Sequence, residues 1–342
     1  MKSLRVGVIG CGLIGSRRAK EAGRHPQTCL EMVADVNAER CARLAADCGC
    51  RSTEQWGQVV DDELVDVVVV STPNAYIAEI AVAALAAGKD VLVEKPPGRS
   101  LSEAKKMADA ARRARRVLKI GFNHRYHPAI SRAHRLVSEG VIGNVINMRA
   151  CYGHGGRPGY EKEWRCDPAL SGGGELMDQG VHLADLFHWF AGFPSEAFAV
   201  LQTAVWPIHP LEDNAFGLFR YENGIIASLH TSWTQWKNLF AFEIFGSLGS
   251  LGITGLGGSY GTEQLITVVR NQAGGAPAVT EELFNEPDRS WRAEWEDFVE
   301  AVAEGKPYGG TPDDGVAAMA MIEALYRSAN SRAIASLARA EL

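Results

Sequence analysis

No apolar run among the 342 residues approaches the roughly 20 residues that a membrane-spanning helix needs. Met1 leads within a few residues into a strand-like run, so no cleaved secretory leader is expected. Excess positive charge is missing too. The chain has 35 Lys and Arg against 41 Asp and Glu, a formal net charge of -6, which argues against nucleic acid or an anionic membrane as a partner. The one basic cluster, Arg112-Arg113-Ala114-Arg115-Arg116, closes an expected helix, where cations complement the helix dipole. Cysteines are few and show no pairing pattern. Cys11, Cys29, Cys41, Cys48, Cys50, Cys151 and Cys166 form an odd set without a C-x-x-C. Cys48-Gly49-Cys50 has no second ligand pair at zinc spacing, so no metal site is expected. Reduced thiols in the cytoplasm are the better reading.

What is present suits a globular protein: 46% apolar and 22% charged residues. The length is too great for one ordinary core and comfortable for two domains. Residues 1–122 alternate strand and helix. Leu4 to Ile9, Cys29 to Ala34, Val65 to Val70, Asp90 to Val93 and Val117 to Gly121 read as strands. Between them Ile14 to Ala22, Ala38 to Ala46, Ile77 to Ala87 and Ser102 to Arg115 read as helices. Strands joined by single helices imply right-handed crossovers and a doubly wound parallel sheet, an α/β Rossmann fold. Residues 123–342 change grammar. Helices are expected from His127-Pro128 to Gly140, Asp178 to Ala191, Trp291 to Glu304 and Pro312 to Ser331. Strands are expected over Val145 to Tyr152, Ala197 to Val205, Ala215 to Tyr221, Ile225 to Trp233, Phe240 to Phe245 and Leu265 to Val269. That order describes an α+β domain with a large open, mostly antiparallel sheet. An apolar face on such a sheet asks for cover, so a homodimer or homotetramer through this sheet is expected.

Gly10-Cys11-Gly12-Leu13-Ile14-Gly15 is a complete G-x-G-x-x-G between the first strand and the first helix. In that context the first glycine permits a tight turn and the second admits a pyrophosphate. The third lets helix and strand pack closely. Asp35, at the end of the second strand, is placed to accept hydrogen bonds from ribose hydroxyls; used otherwise, it would cap the helix from Ala38. Val36 and Asn37 supply no cation for a 2′-phosphate, so NAD is expected over NADP. Ser71-Thr72-Pro73-Asn74 ends the central apolar strand at the sheet edge where such ligands bind.

Two further stretches carry chemistry. Lys95 follows a buried strand in Val93-Glu94-Lys95-Pro96, where an ammonium can hold a ribose or substrate hydroxyl and move a proton. Asp178 and His182 stand four apart on an expected helix after Gly172-Gly173-Gly174, a spacing that puts them on one face. A carboxylate beside an imidazole orients it for proton transfer near neutral pH. The glycines ahead of the helix would let backbone approach a nicotinamide or substrate. Asp185 and His188 read as structural. Arg125 would contact an anionic substrate group or pair with a neighbouring acid. His154, Arg157, Tyr160, Trp233, Trp236 and Asn238 offer polar or platform contacts to a polyol, with core or surface packing as the rival use.

Taken together, Gly10 to Gly15, Glu94-Lys95-Pro96 and Gly174 to His182 resemble the Gfo/Idh/MocA family of sugar and inositol dehydrogenases. The resemblance implies that Lys95 contacts nicotinamide ribose and substrate hydroxyl, and that Asp178 and His182 are the acidic residue and the acid/base histidine. It implies that Glu94 and Pro96 shape the loop beside the cofactor, Pro96 in an unusual peptide geometry. Asn123 is then placed at the nicotinamide side, and Trp164-Arg165 near cofactor and substrate. Ile77 departs from the histidine that many relatives carry. The implied activity is NAD-dependent oxidation of a secondary hydroxyl of a sugar, sugar derivative or cyclitol. Alternatives are an NADP-dependent reductase of a keto sugar or imine, an oxidation-initiated glycoside-processing enzyme, and a non-catalytic NAD-sensing regulator.

Overall fold

A computed structural model describes residues 3–338, which divide into two compact units. The first unit contains six strands: β1 (Leu4–Ile9), β2 (Thr28–Ala34), β3 (Arg51–Thr53), β4 (Val67–Val70), β5 (Asp90–Glu94) and β6 (Leu118–Gly121). Between them run α1 (Leu13–Arg24), α2 (Ala38–Cys48), α3 (Trp56–Asp61), α4 (Asn74–Ala86) and α5 (Leu101–Ala114). All neighbouring strands are parallel, in the order β3-β2-β1-β4-β5-β6. The order reverses between β1 and β4, so the crevice for a ligand opens where Gly10 and Ser71 leave those strands. The all-valine β4 is buried along its whole length, as a central parallel strand must be. The short β3 and α3 were not expected, because three polar residues and a single helical turn leave no periodic trace.

The second unit begins with α6 (Pro128–Ser138) and holds α7 (Pro168–Ser171) and α8 (Val181–Ala191). Its nine strands are β7 (Val145–Gly153), β8 (Glu196–Gln202), β9 (Asn214–Arg220), β10 (Ile226–Ser232), β11 (Leu239–Gly246), β12 (Gly249–Thr254), β13 (Glu263–Val269), β14 (Ala278–Phe284) and β15 (Ala335–Ser336). They form one sheet in the order β14-β13-β12-β11-β7-β10-β9-β8-β15, antiparallel except where β10 runs parallel to β7. Period-two burial sorts the faces. Met148, Ala150 and Tyr152 of β7 and Phe240, Phe242 and Ile244 of β11 are buried, whereas Arg149, Glu243, Phe216 and Leu218 point away from that core. Three of these strands escaped the sequence reading, the two-residue β15 among them. Gly249 and Gly252 dilute β12, and β14 is an exposed edge carrying Glu281 and Glu282.

The expected single domain over 123–342 needs one correction. The stretch Trp291–Val316, which contains most of α9 (Ser290–Glu304), belongs to the first unit, while α10 (Pro312–Ser331) belongs to the second from Ala317 onward. The cause is a helical apolar stripe. Trp295, Phe298 and Val299 are buried in one cluster with Val6, Val8, Ala19 and Leu92. Each such burial contributes roughly 1.5–3 kcal/mol.

Candidate active site

In the first unit the glycine turn has a closed and an open side. Gly10 has φ +95°, and a Cβ there would lie 2.5 Å from the Ser71 carbonyl oxygen; at Gly15 it would lie 1.7 Å from the Gly10 oxygen. These two glycines let β1, β4 and α1 touch. A Cβ on Gly12 would meet nothing within 4 Å. Gly12 caps α1 in extended conformation without a side-chain cap, so the first helical N–H groups face open space beside Leu13 and Ile14. The buried hydroxyls of Ser71 and Thr72 have no hydrogen-bond partner among the described residues. An open glycine, uncapped amides and orphaned hydroxyls together fit a dinucleotide's pyrophosphate.

Asp35 braces this turn. Its carboxylate accepts from the Cys11 N–H at 2.7 Å and the Asn37 N–H at 2.8 Å. The cap of α2 is Asn37, which accepts from the Arg40 N–H, so the alternative of Asp35 as helix cap is corrected. Val36 and Asn37 supply no cation, but an Arg40 guanidinium nitrogen lies 3.6 Å from the Asp35 carboxylate. Arg40 is one helical step beyond the two residues read from sequence. Val36 is 87% exposed. Pro73 precedes α4, whose first residue Asn74 is buried, and Ile77 is fully buried in the core.

Lys95 sits half-buried after β5, joined to Pro96 by a cis peptide. Glu94 faces inward. Its carboxylate accepts from Arg18 Nε at 2.8 Å and lies 2.7 Å from a second guanidinium nitrogen, while the third pairs with Glu294 at 2.5 Å. Arg18 is wholly buried. Burial works against its charge, but Glu294 and Glu94 hold its pKa above the ordinary value. Glu94 thus shapes the Lys95 loop from its buried side, its carboxylate taken up by Arg18.

In the second unit a π-helical turn, Leu176–Gly180, runs into α8. Asp178 thus lies within the π turn and His182 in the first turn of α8, so a π turn rather than the expected α turn sets the step between them. The ring of His182, buried at the first turn of α8, stacks on His124 with centroids 3.6 Å apart. His124 Nδ1 lies 3.2 Å from Asn123 Oδ1, and the buried Asn123 donates from Nδ2 to Ser290 Oγ at 3.1 Å. Asp178 is met by Arg165 Nε at 3.3 Å, and the Arg165 guanidinium lies 4.7 Å from the Trp164 ring centre. Burial opposes the Arg165 charge, yet Asp178 in particular, with Tyr160 and Glu163, holds its pKa above the usual value. Tyr152 and Tyr260 complete the surroundings with rings 5.3 Å apart, and Gln179 donates to the Tyr260 hydroxyl at 3.1 Å. Burial pushes the Tyr260 phenol up to about 12 and Tyr152 well above its ordinary value, so both remain neutral hydroxyls.

The remaining candidates are placed by their own surroundings. Gly173 and Gly174, ahead of this helix, are packed against protein: a Cβ on Gly173 would lie 2.3 Å from the Tyr326 hydroxyl, and one on Gly174 would lie 2.2 Å from the Glu212 carbonyl oxygen. Of the two uses expected for Arg125, the pair with a neighbouring acid is the one found: it is buried and held by Asp185 through Nε at 2.9 Å and a terminal nitrogen at 2.5 Å. Trp236 is 67% exposed on the loop after β10, in left-handed conformation (φ 55°). His154 Nδ1 accepts from the Gly156 N–H at 2.9 Å, with its ring edge-on to buried Tyr160. His124, Tyr152, Gln179 and Tyr260 were missed. Only the position of His124 beside Asn123 offered a signal.

Comparison with known proteins follows this division. Residues 4–122 match the oxidoreductase family with NAD-binding Rossmann fold, and residues 130–252 match the GFO/IDH/MocA C-terminal domain. Levoglucosan dehydrogenase from Pseudarthrobacter phenanthrenivorans is 30% identical over 283 residues, 72% of either chain. Inositol 2-dehydrogenase 2 from Saccharopolyspora erythraea is 27% identical over 95% of this chain and 93% of its own. A solved levoglucosan dehydrogenase in complex with NADH superposes with a TM-score of 0.90 at 26% identity, covering 98% of this chain and all of that one.

Proposed function

The chain belongs to the GFO/IDH/MocA family of NAD-binding oxidoreductases, and from that premise we propose that it oxidises a secondary hydroxyl of a sugar, sugar derivative or cyclitol. The observation that carries this reading is the buried His182 imidazole stacked on His124 at the head of α8, beside the Asp178–Arg165 pair. Relatives named for levoglucosan, inositol and D-glucoside support a polyhydroxylated substrate.

NAD, when bound, supplies the hydride acceptor. Gly12, the first amides of α1, Ser71 and Thr72 hold its pyrophosphate side, and Asp35 accepts from ribose hydroxyls. Asp35 also disfavours a 2′-phosphate, an effect that Arg40 tempers. His182 takes the hydroxyl proton, while Lys95 donates to the oxygen as negative charge develops. Asp178, held by Arg165, orients the hydroxyls, and His124 fixes the plane of the His182 ring.

The seven free cysteines support a reducing compartment, the cytoplasm. Among the described residues no helix is long and apolar enough to cross a membrane. A second copy covers the open sheet face, where Phe198, Val200, Phe216, Leu218 and Ile226 are exposed at alternating positions. A monomer in sedimentation at micromolar concentration would remove this last element.

The test is reduction of NAD+ and NADP+ by a panel of polyols. NAD+ should serve better, and His182→Asn and Lys95→Met should each lower the rate by about 10²–10⁴-fold while NADH still binds. Near-normal rates in both variants would sink the assignment.

A further inference from the structure

On the open face of the second unit's sheet, three adjacent strands bring together groups that the dehydrogenase reading does not use. Cys151 of β7 lies with Sγ 3.8 Å from Nδ1 of His230 on β10. Gln235, on the loop after β10, has its amide nitrogen 3.8 Å from that sulfur and 3.5 Å from the same Nδ1. His230 Nε2 lies 3.3 Å from Oδ1 of Asn214 on β9.

Hydrogen-bond logic settles the imidazole tautomer. Asp213 accepts from the N–H groups of Ala204, Val205 and Trp206; burial works against its charge, but these bonds and Asn214 hold its pKa below the usual range. An ionised carboxylate can only accept, so the group that Asn214 turns to it at 3.0 Å is Nδ2. Asn214 therefore presents its oxygen to His230, and Nε2 must carry the hydrogen. The Nδ1 lone pair is left facing Cys151 and Gln235. Phe216 stacks on the imidazole at 4.1 Å and 9°, which fixes its plane. Gly153 leaves room for the third group, since a Cβ there would lie 2.7 Å from Gln235 Cγ.

We propose that Cys151, His230 and Gln235 form a binding site for a thiophilic divalent cation, Zn2+, with Asn214 as the residue that orients the histidine. The triangle of donors has edges of 3.8, 3.5 and 3.8 Å. Tetrahedral zinc with ordinary S, N and O bond lengths needs edges of about 3.6, 3.4 and 3.6 Å. Rotation of the amide presents Gln235 Oε1 in place of Nε2. Among the described residues no three His, Cys, Asp or Glu side chains gather as a metal cluster; this site draws its third donor from an amide. The fourth position faces a groove lined by Phe198, Phe216 and Leu218, which the second copy proposed above would close over a bound water. On binding, the S–H bond breaks, the Zn–S bond forms and the proton leaves to solvent.

Cys, His and Asn in this order also serve thiol nucleophiles. Here Gln235 stands within reach of both Cys151 Sγ and His230 Nδ1, so three donors converge rather than a nucleophile and its base. A neutral imidazole with an oriented second nitrogen is what a metal takes.

Cobalt(II) added to the metal-stripped full chain should give sulfur-to-cobalt charge-transfer absorption at one ion per chain, displaced by Zn2+. Cys151→Ser should abolish the band, and Cys29→Ser, at an exposed thiol, should leave it unchanged. Asn214→Leu should weaken binding about 10–100-fold, and the part-buried Gln235→Leu should weaken it with the circular dichroism of the native protein. No band in the native chain, a band that survives Cys151→Ser, or native affinity in both Asn214→Leu and Gln235→Leu would overturn the site.

Discussion

Two glycine-rich turns open helices in this chain, and they use the missing side chain in opposite ways. In Gly10 to Gly15 the flanking glycines are filled by backbone, but Gly12 faces open space. At Gly173 and Gly174 the space is already occupied by Tyr326 and Glu212. The first turn is shaped to receive something from outside, whereas the second is shaped by its own unit. A glycine motif therefore reports close approach, and only the surroundings say whether the approaching group is ligand or protein.

Gly174→Ala tests the comparison hardest. Its Cβ would lie 2.2 Å from backbone oxygen, which cannot rotate away, so a loss of about 3 kcal/mol or more is expected in urea unfolding. If Gly174→Ala unfolded no more easily than Gly12→Ala, the contrast between the turns would collapse.

The pH dependence of stability sharpens the account of the second turn. Glu212 accepts from the Leu176 N–H at 3.0 Å and the Tyr326 hydroxyl at 2.8 Å, and burial pushes its carboxyl up to about 7. A raised carboxyl keeps its proton in the folded chain while the unfolded chain ionises near pH 4.5. Its contribution is therefore complete below that value and is lost as pH climbs to about 7. The slope amounts to roughly 3 kcal/mol across the window and should vanish in Glu212→Gln. An unchanged slope in that variant would assign it to other groups.

The smallest effect belongs to Gly12→Ala. With nothing within 4 Å of the new methyl group, the melting temperature should stay at the native value. NADH affinity should nevertheless fall about tenfold, roughly 1.4 kcal/mol. Unchanged affinity in a fluorescence titration would mean that the open face of this turn is not where the cofactor lies.

Legibility followed the range of the interactions involved. Gly10 to Gly15 and Asp35 could be read because turn, strand and helix are set by neighbours within a few residues. For Arg125 the choice between an anionic ligand and an acid partner stayed open, because that partner, Asp185, lies 60 residues away. The partner of Glu94 stayed hidden for the same reason, Arg18 lying 76 residues away. The stacking of His182 on His124 left no periodic mark, and the return of Trp291–Val316 to the first unit showed only as an amphipathic helix without an address.

Composition, periodicity and short motifs by themselves determined a doubly wound nucleotide-binding unit, an open-sheet unit and the residues able to carry proton and cofactor chemistry. These depend on local backbone preference and on alternation of polar and apolar side chains. Tertiary structure alone decided which carboxylates are spent on buried arginines, which glycines remain open, and which histidine nitrogen keeps its lone pair. Each of those outcomes depends on a partner that only folding brings within about 3 Å.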